Sequence, residues 1–217
     1  MEFYKNIAVI VAHPDDEVLW CGGMILLHPE CNCFVACLCR KNDPDRAPKF
    51  QRTLKELGAQ GIMGNLDDGP EQKPLDIKEV QDAILDLLPK SNFDLMITHS
   101  PCGEYTRHLR HEEIGSAVIA LWNGQKIETK ELWTFAYEDG NKKYSPKAIR
   151  GASIQQMLPK NIWEEKYRLI TEVYGFEKTG FEAKTTPKSE AFWKFENPED
   201  ARNWLERNSM LHNATPP

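Results

Sequence analysis

Five apolar residues, Ile7-Ala8-Val9-Ile10-Val11, run without a break into Ala12-His13-Pro14-Asp15-Asp16-Glu17. A short apolar, mostly β-branched run is what a strand covered on both faces of a parallel sheet requires. The imidazole and three carboxylates directly after it obey a different constraint, because an unpaired buried charge is expensive. These side chains must face a cleft, bind a cation, or do both. Two further histidines, His108 and His111, stand in a second polar cluster. We expect the two clusters to meet around one divalent metal.

The rest of the chain supplies a frame for that meeting. Strands are expected over 6–12, 33–40, 61–65, 93–98 and 132–137. Helices are expected between them, over 16–27, 48–57, 77–88 and 108–122, from apolar spacing such as Val80, Ile84 and Leu87. Gly58 closes the second helix, and Gly22-Gly23 inside the first is read as close packing against the sheet. Strands alternating with helices point to a doubly wound α/β sandwich, a three-layer fold with a mostly parallel central sheet. Ligands of such sheets gather at the carboxyl ends of the strands, and both polar clusters sit there. Beyond Glu138 the pattern loosens. Residues 139–151, with Lys142, Lys143, Lys147 and Arg150, read as a solvated loop. Helices follow over 161–174 and 198–207, the latter capped by Asn197.

Length and charge bound the function. A chain of 217 residues fits one domain, 1–217, with an ample core. A net charge of −6 argues against a general nucleic-acid or anionic-membrane binder, though not against a small phosphorylated substrate. No apolar stretch approaches the roughly 20 residues of a membrane span. The N-terminus lacks the charged-then-apolar layout of a signal peptide, so a cytoplasmic location is expected. The pairs Cys31-x-Cys33 and Cys37-x-Cys39 lack the C-x₂-C spacing of common zinc sites and read as buried thiols. Six tryptophans leave room for an aromatic homo-oligomer interface.

The spacing of the two clusters suggests their chemistry. His13 and Asp16 are three apart at a strand-to-helix turn, and His108 and His111 are neighbours on one helix face. Two histidines and a carboxylate around an open position form a catalytic zinc ligand set. With His13, Asp16 and His111 as ligands of one zinc ion per chain, Asp15 is left beside the metal as general base. His108, off the metal, is expected to stay protonated and donate to a developing oxyanion. That constellation suits hydrolysis of an amide or ester. A Mg²⁺-dependent phosphoesterase is the alternative suggested by paired aspartates, although imidazole ligands count against it. A binding protein without catalysis would need neither Asp15 nor His108.

Ala12-His13-Pro14-Asp15-Asp16-Glu17 resembles the A-H-P-D-D-E signature of the PIG-L/LmbE family of N-acetylglucosaminyl deacetylases, and His108-Leu109-Arg110-His111 resembles that family's H-x-x-H. The resemblance covers about residues 6–120. It implies a Rossmann-like fold and a zinc-dependent hydrolase that removes the acetyl group from an N-acetylated amino sugar, a small-molecule substrate. His13, Asp16 and His111 would be the zinc ligands, Asp15 the base, and His108 the residue stabilising the tetrahedral intermediate. Three weaker matches suggest substrate contacts: Arg46, Asp68 within Asp68-Gly69, and Tyr105. Tyr105 stands three residues before His108 where the tyrosine-bearing members have two. Leu109-Arg110 replace the family's frequent Pro-Asp, so Arg110 is expected to add positive charge near the site.

Overall fold

The computed structural model describes residues 4–105 and 108–213, of which 208–213 by backbone alone. Met1 to Phe3, Thr106 and Arg107 of the loop before His108, and the last four residues lie outside the described residues. β1 (Asn6–Val11) alternates as its run of apolar residues requires. Ile7, Val9 and Val11 enter one buried cluster, whereas Ala8 and Ile10, with Ala12, enter another on the opposite face. The first cluster is closed by α1 (Asp16–Leu27), α2 (Arg46–Leu57) and the segment of α5 (Lys160–Arg168) with its π-helical continuation Leu169–Val173. The second is closed by α3 (Ile77–Leu87), α4 (Leu109–Asn123) and α7 (Pro198–Asn213).

Between these layers lies a seven-stranded sheet. Its order is β3 (Gln60–Met63), β2 (Asn32–Cys37), β1, β4 (Phe93–Thr98), β5 (Thr129–Phe135), β9 (Ser189–Phe195), β8 (Ile154–Met157). The pairs from β3 through β5 are parallel; β9 runs antiparallel to both β5 and β8. The sheet is therefore mostly parallel and covered on both faces. The order reverses between β1 and β4, and the crevice beyond the carboxyl ends at such a reversal is where open α/β sheets bind ligands. The segment after β1 carries His13, Asp15 and Asp16, and the segment after β4 leads to His108 and His111.

Boundaries differ from expectation in places. β2 ends at Cys37 rather than residue 40, and β5 begins at Thr129 rather than 132. β8, β9 and the short α6 (Phe181–Thr185) were not anticipated, nor was the two-residue ladder of β6 (Tyr137–Glu138) with β7 (Lys147–Ala148) inside the basic loop. Otherwise the loop is largely exposed, as expected. Asn197 does cap α7: its side-chain oxygen accepts the Asp200 N–H at 2.9 Å.

Two glycines bring elements close around the site. A Cβ on Gly23 would meet Leu158 at 2.4 Å, so α1 packs at Gly23 against the segment linking β8 to α5 and against β9, where Glu190 accepts the Gly23 N–H, whereas Gly22 faces only Val18 and Glu17 of its own helix. A Cβ on Gly115 would lie 2.4 Å from the His99 carbonyl, so only glycine lets α4 approach the loop after β4 this closely. Cys21, Cys33, Cys37 and Cys39 are buried and all six thiols are free. No helix among the described residues is long and apolar enough to cross a membrane.

Candidate metal centre and active site

Asp16 opens α1 and is 3 % exposed. Its Oδ2 accepts the backbone N–H of His13 at 2.8 Å, and its Oδ1 accepts the Trp20 indole N–H at 3.0 Å. These two bonds fix the carboxylate's plane. Burial opposes its charge, but the His111 and His99 imidazoles overcome that and hold Asp16 well below the usual carboxylate range.

His111 enters from the first turn of α4, fully buried. Its Nδ1 is 2.6 Å from Glu104 Oε2, so Nδ1–H donates to the carboxylate and Nε2 keeps its lone pair. Glu104 is itself held by the Ser100 N–H at 2.8 Å and by His99 Nδ1 at 3.1 Å. His99 Nε2 accepts the Ala12 N–H at 2.9 Å, which fixes its tautomer as the Nδ1–H donor. His13 comes from the other side. Its Nε2 lies 3.1 Å from Asp68 Oδ1, an ion-pair contact outside hydrogen-bond geometry, and its Nδ1 faces inward.

Three atoms able to bind a metal converge. His13 Nδ1 lies 3.2 Å from His111 Nε2 and 3.3 Å from Asp16 Oδ2, and His111 Nε2 lies 3.4 Å from Asp16 Oδ2. Lone pairs do not face one another at this distance without something positive between them. Donors on a tetrahedron with bonds of ~2.0–2.1 Å are separated by about 3.3–3.4 Å, so the triangle has the dimensions of a face of a zinc site. Both histidines carry a carboxylate on their other nitrogen, the arrangement that orients imidazole ligands. Two groups of possible donors, His13 with His108 and His111 and Asp16 with His99 and His111, share His111, each with ligand atoms within 4.8 Å of one another. The residues present fit a divalent cation.

Asp15 stands beside this triangle on the wall of a cavity of about 160 Å³ that also includes His13, Arg46, Tyr105 and His108. Its side chain is 13 % exposed and lies 3.5 Å from Arg46. Burial, and then the neighbouring charges of Asp16 and Glu17, push its carboxyl well above the usual value, with Arg46 opposing. Arg46, near the N-terminus of α2, is held with its guanidinium 4.3 Å from the centre of the Phe176 ring.

The environment of His108 differs from expectation. It stacks on His111 at 4.5 Å and meets His13 edge-on at 4.6 Å. Burial, followed by the positive potential of His111 and His13, lowers its pKa to about 3, so His108 is neutral at pH 7 rather than protonated. It still has one ring N–H to donate. Tyr105 forms an aromatic edge to the cavity, 6.1 Å from the His108 ring and 5.2 Å from Phe181. Asp68 sits behind His13, its oxygens taken by Arg40, Gln72 and His13, and so orients an imidazole more directly than it meets the cavity.

Arg110 corrects the reading made from its place inside H-x-x-H. It is fully buried and pairs with Glu113, and it donates to the carbonyls of Asp67 at 2.5 Å and Lys73 at 2.7 Å. Its charge is neutralised away from the metal triangle, and what it does is pin the loop that carries Asp68. Sequence reasoning missed Glu104, His99 and Trp20 altogether. Trp20 stands four residues after Asp16 on α1, a helical spacing that could have found it, whereas His99 and Glu104 have partners 87 and 7 positions away outside any one element.

The family model for the GlcNAc-PI de-N-acetylase, PIG-L, matches residues 8–122 of the chain. An uncharacterized protein, L374, of Acanthamoeba polyphaga mimivirus is 22% identical over 151 residues, 63% of this chain and 64% of that protein; the chain thus spans about two thirds of that relative's length. Among solved structures, the N,N'-diacetylchitobiose deacetylase from Pyrococcus horikoshii superposes with a TM-score of 0.68 at 15% identity, covering 89% of this chain and 84% of that one. GalB, the 4-carboxy-2-hydroxymuconate hydratase from Pseudomonas putida, superposes with a TM-score of 0.56 at 17% identity, covering 88% and 95%. At such identities these likenesses show the fold alone. A deacetylase and a hydratase share it, so the chemistry must be argued from the site.

Proposed function

Because the chain belongs to the PIG-L family of GlcNAc-PI de-N-acetylases, we propose that it is a zinc-dependent hydrolase that removes the N-acetyl group from an N-acetylglucosamine-type sugar conjugate. The observation that carries the reading is the convergence of His13 Nδ1, Asp16 Oδ2 and His111 Nε2 beside a cavity walled by Asp15. Two imidazoles and one carboxylate favour zinc over the hard cations of phosphoester chemistry. When bound, the ion would act as a Lewis acid that polarises the acetamide carbonyl and makes water acidic enough to attack near neutral pH.

The remaining steps fall to the chain's own groups. Asp15 accepts a proton from the attacking water as the new C–O bond forms at the acetyl carbon. It returns that proton to the amine nitrogen as the C–N bond breaks, giving acetate and a free amino sugar. A carboxylate walling the cavity can make both transfers, first as general base and then as general acid. The neutral His108 offers its N–H to the oxygen that becomes negative in the tetrahedral intermediate. Arg46 and Tyr105 line the cavity where the sugar must lie.

The test is a substrate panel on purified protein whose metal content has been measured. One zinc per chain and acetate release from at least one of free, nucleotide-linked, lipid-linked or thiol-conjugated N-acetylglucosamine are the expected result. Release of phosphate from phosphoesters with no acetate from any sugar would replace the reading. Glu104 gives a further check on the metal assignment. Glu104→Ala removes the acceptor that orients His111, and zinc affinity measured by competition with a chelator is expected to fall about 10–100-fold.

A further inference from the structure

Asp15 has φ = +122° and ψ = −26°, a conformation that side-chain-bearing residues rarely adopt. Something must hold it there, and the backbone shows what. The Asp15 N–H donates to Glu17 Oε2 at 3.0 Å, and Glu17 Oε1 accepts the Tyr174 hydroxyl at 2.5 Å. Glu17 is fully buried and Tyr174 is 1 % exposed, so both bonds run through a dry interior where a hydrogen bond is stronger than in water. Neither residue lines the cavity beside the metal triangle.

Tyr174 reaches Glu17 because α5 does not end as an ordinary helix. It continues as the π-helical turn Leu169–Val173, and the Tyr174 N–H closes that turn on the Leu169 carbonyl at 2.9 Å. Gly175, at φ = +76°, then reverses the chain. Leu169, Ile170 and Val173 anchor the turn in the core beneath α1 and α2. π-helical turns inside α-helices are frequently found at functional sites. Here the residue whose facing it sets is Tyr174.

We propose that Glu17 and Tyr174 are positioning residues that act through the backbone of Asp15, a proposal that rests on Asp15 serving as the base in the reading above. The Glu17 carboxylate is the acceptor that makes the positive-φ conformation of Asp15 the stable one, and Tyr174 holds that carboxylate in place. With φ positive, the Asp15 side chain leaves the start of α1 toward Arg46 and the cavity. Relaxed to an ordinary negative φ, its Cβ would point elsewhere and the carboxylate would leave the position from which it takes a proton. Glu17 is thus more than the helix-start acid its place in the motif suggests. Tyr174 lies outside the residues 8–122 that match the family model. The C-terminal third of the chain therefore sets the geometry of a motif at its N-terminus.

The test compares Glu17→Ala, Glu17→Gln and Tyr174→Phe, each by crystal structure, zinc content and steady-state kinetics on the acetyl sugar the wild type accepts best. In Glu17→Ala, Asp15 is expected to leave positive φ, and kcat to fall about 10²-fold with KM and zinc content unchanged, the size of effect a displaced catalytic group produces. Glu17→Gln keeps an acceptor oxygen and should retain at least tenfold more kcat than Glu17→Met, a fourth variant that fills the same space without an acceptor for the Asp15 N–H, whereas a merely space-filling role would not separate the two. Tyr174→Phe should move Glu17 off the Asp15 N–H and lower kcat about tenfold. If Glu17→Ala does not fold, Tyr174→Phe decides alone. Asp15 remaining near φ = +122° in the variants, or losses appearing in KM or zinc content instead of kcat, would overturn the proposal. A wild type that binds zinc but releases no acetate would remove the deacetylase reading, while the backbone of Asp15 in the variant structures still decides the role of Glu17 and Tyr174.

Discussion

Asp15→Asn lowers kcat for acetate release by about 10²–10⁴-fold and leaves one zinc bound per chain, the range that loss of a general base produces. The expectation follows from where Asp15 stands: it walls the cavity beside the three converging donors without being one of them. Asparagine matches its size but cannot take a proton. In the metal-free protein burial and the charges of Asp16 and Glu17 raise the Asp15 carboxyl above the ordinary carboxylate range. The same shift has a sign for stability. A carboxyl whose folded pKa lies above its unfolded value binds a proton more tightly when folded, so its ionisation costs stability as pH rises from the unfolded pKa through the folded one. Metal-free Asp15→Asn should therefore melt at a higher temperature than metal-free wild type at neutral pH, the usual exchange of stability for a functional charge. Acetate release, elemental zinc analysis and thermal melts check the three parts. Retained kcat would remove Asp15 as base, and loss of zinc together with activity would instead make it a ligand.

The parts of this fold and site that were legible in the sequence share one property: their signal is local. The apolar run of β1, the turn that carries His13 and Asp16, and the i, i+3 pair His108 and His111 each fit within a few residues. Parallel strands buried on both faces cannot hide their composition, so β1, β2 and β4 stood out. β8 and β9 did not, for opposite reasons. β8 lies at the edge of the sheet and reads Ile-Gln-Gln-Met, while β9 buries Glu190 against Lys166 and so breaks its apolar pattern with a charge whose partner is 24 residues away. The same distance problem hid the support of the metal triangle. Glu104 looked like loop composition until His99 and His111 closed on it. Glu17 looked like an acid favouring the start of a helix, although its decisive partner is Tyr174, 157 residues on. The charge state of His108 depended on three imidazoles packing together, and Arg110 turned away because Glu113 was in reach. Roles set by desolvation belong to the assembled site, and a motif names only the residues that enter it.

Removing a donor from the triangle should cost more than any other single change. His13→Ala is expected to lower zinc affinity by about 10³-fold or more, beyond the ~10–100-fold that loss of an orienting partner costs, and to abolish acetate release at ordinary zinc concentrations. The fold should tolerate it, because Asp68 keeps Arg40 and Gln72 as partners when His13 is gone. His111→Ala should lose zinc to the same degree but also lose stability, because it takes a bond from the fully buried Glu104 and leaves that charge to His99 and the Ser100 N–H. The two variants therefore separate the metal from the scaffold. Acidification should mimic them reversibly. In the metal-free protein burial works against protons on His13 and His111, yet Asp16, with Asp68 for His13 and Glu104 for His111, raises both above the usual histidine value. A zinc ion must displace those protons, so its affinity falls as pH drops through the raised pKa values and returns as pH rises. Competition titrations at pH 6 and pH 8 on wild type and both variants measure this directly. Normal zinc affinity in His13→Ala, or an affinity that does not change with pH, would mean the ion sits elsewhere. The proton that joins these three acceptors in the metal-free protein would then be a structural feature in its own right, and the cavity beside it would need another chemistry.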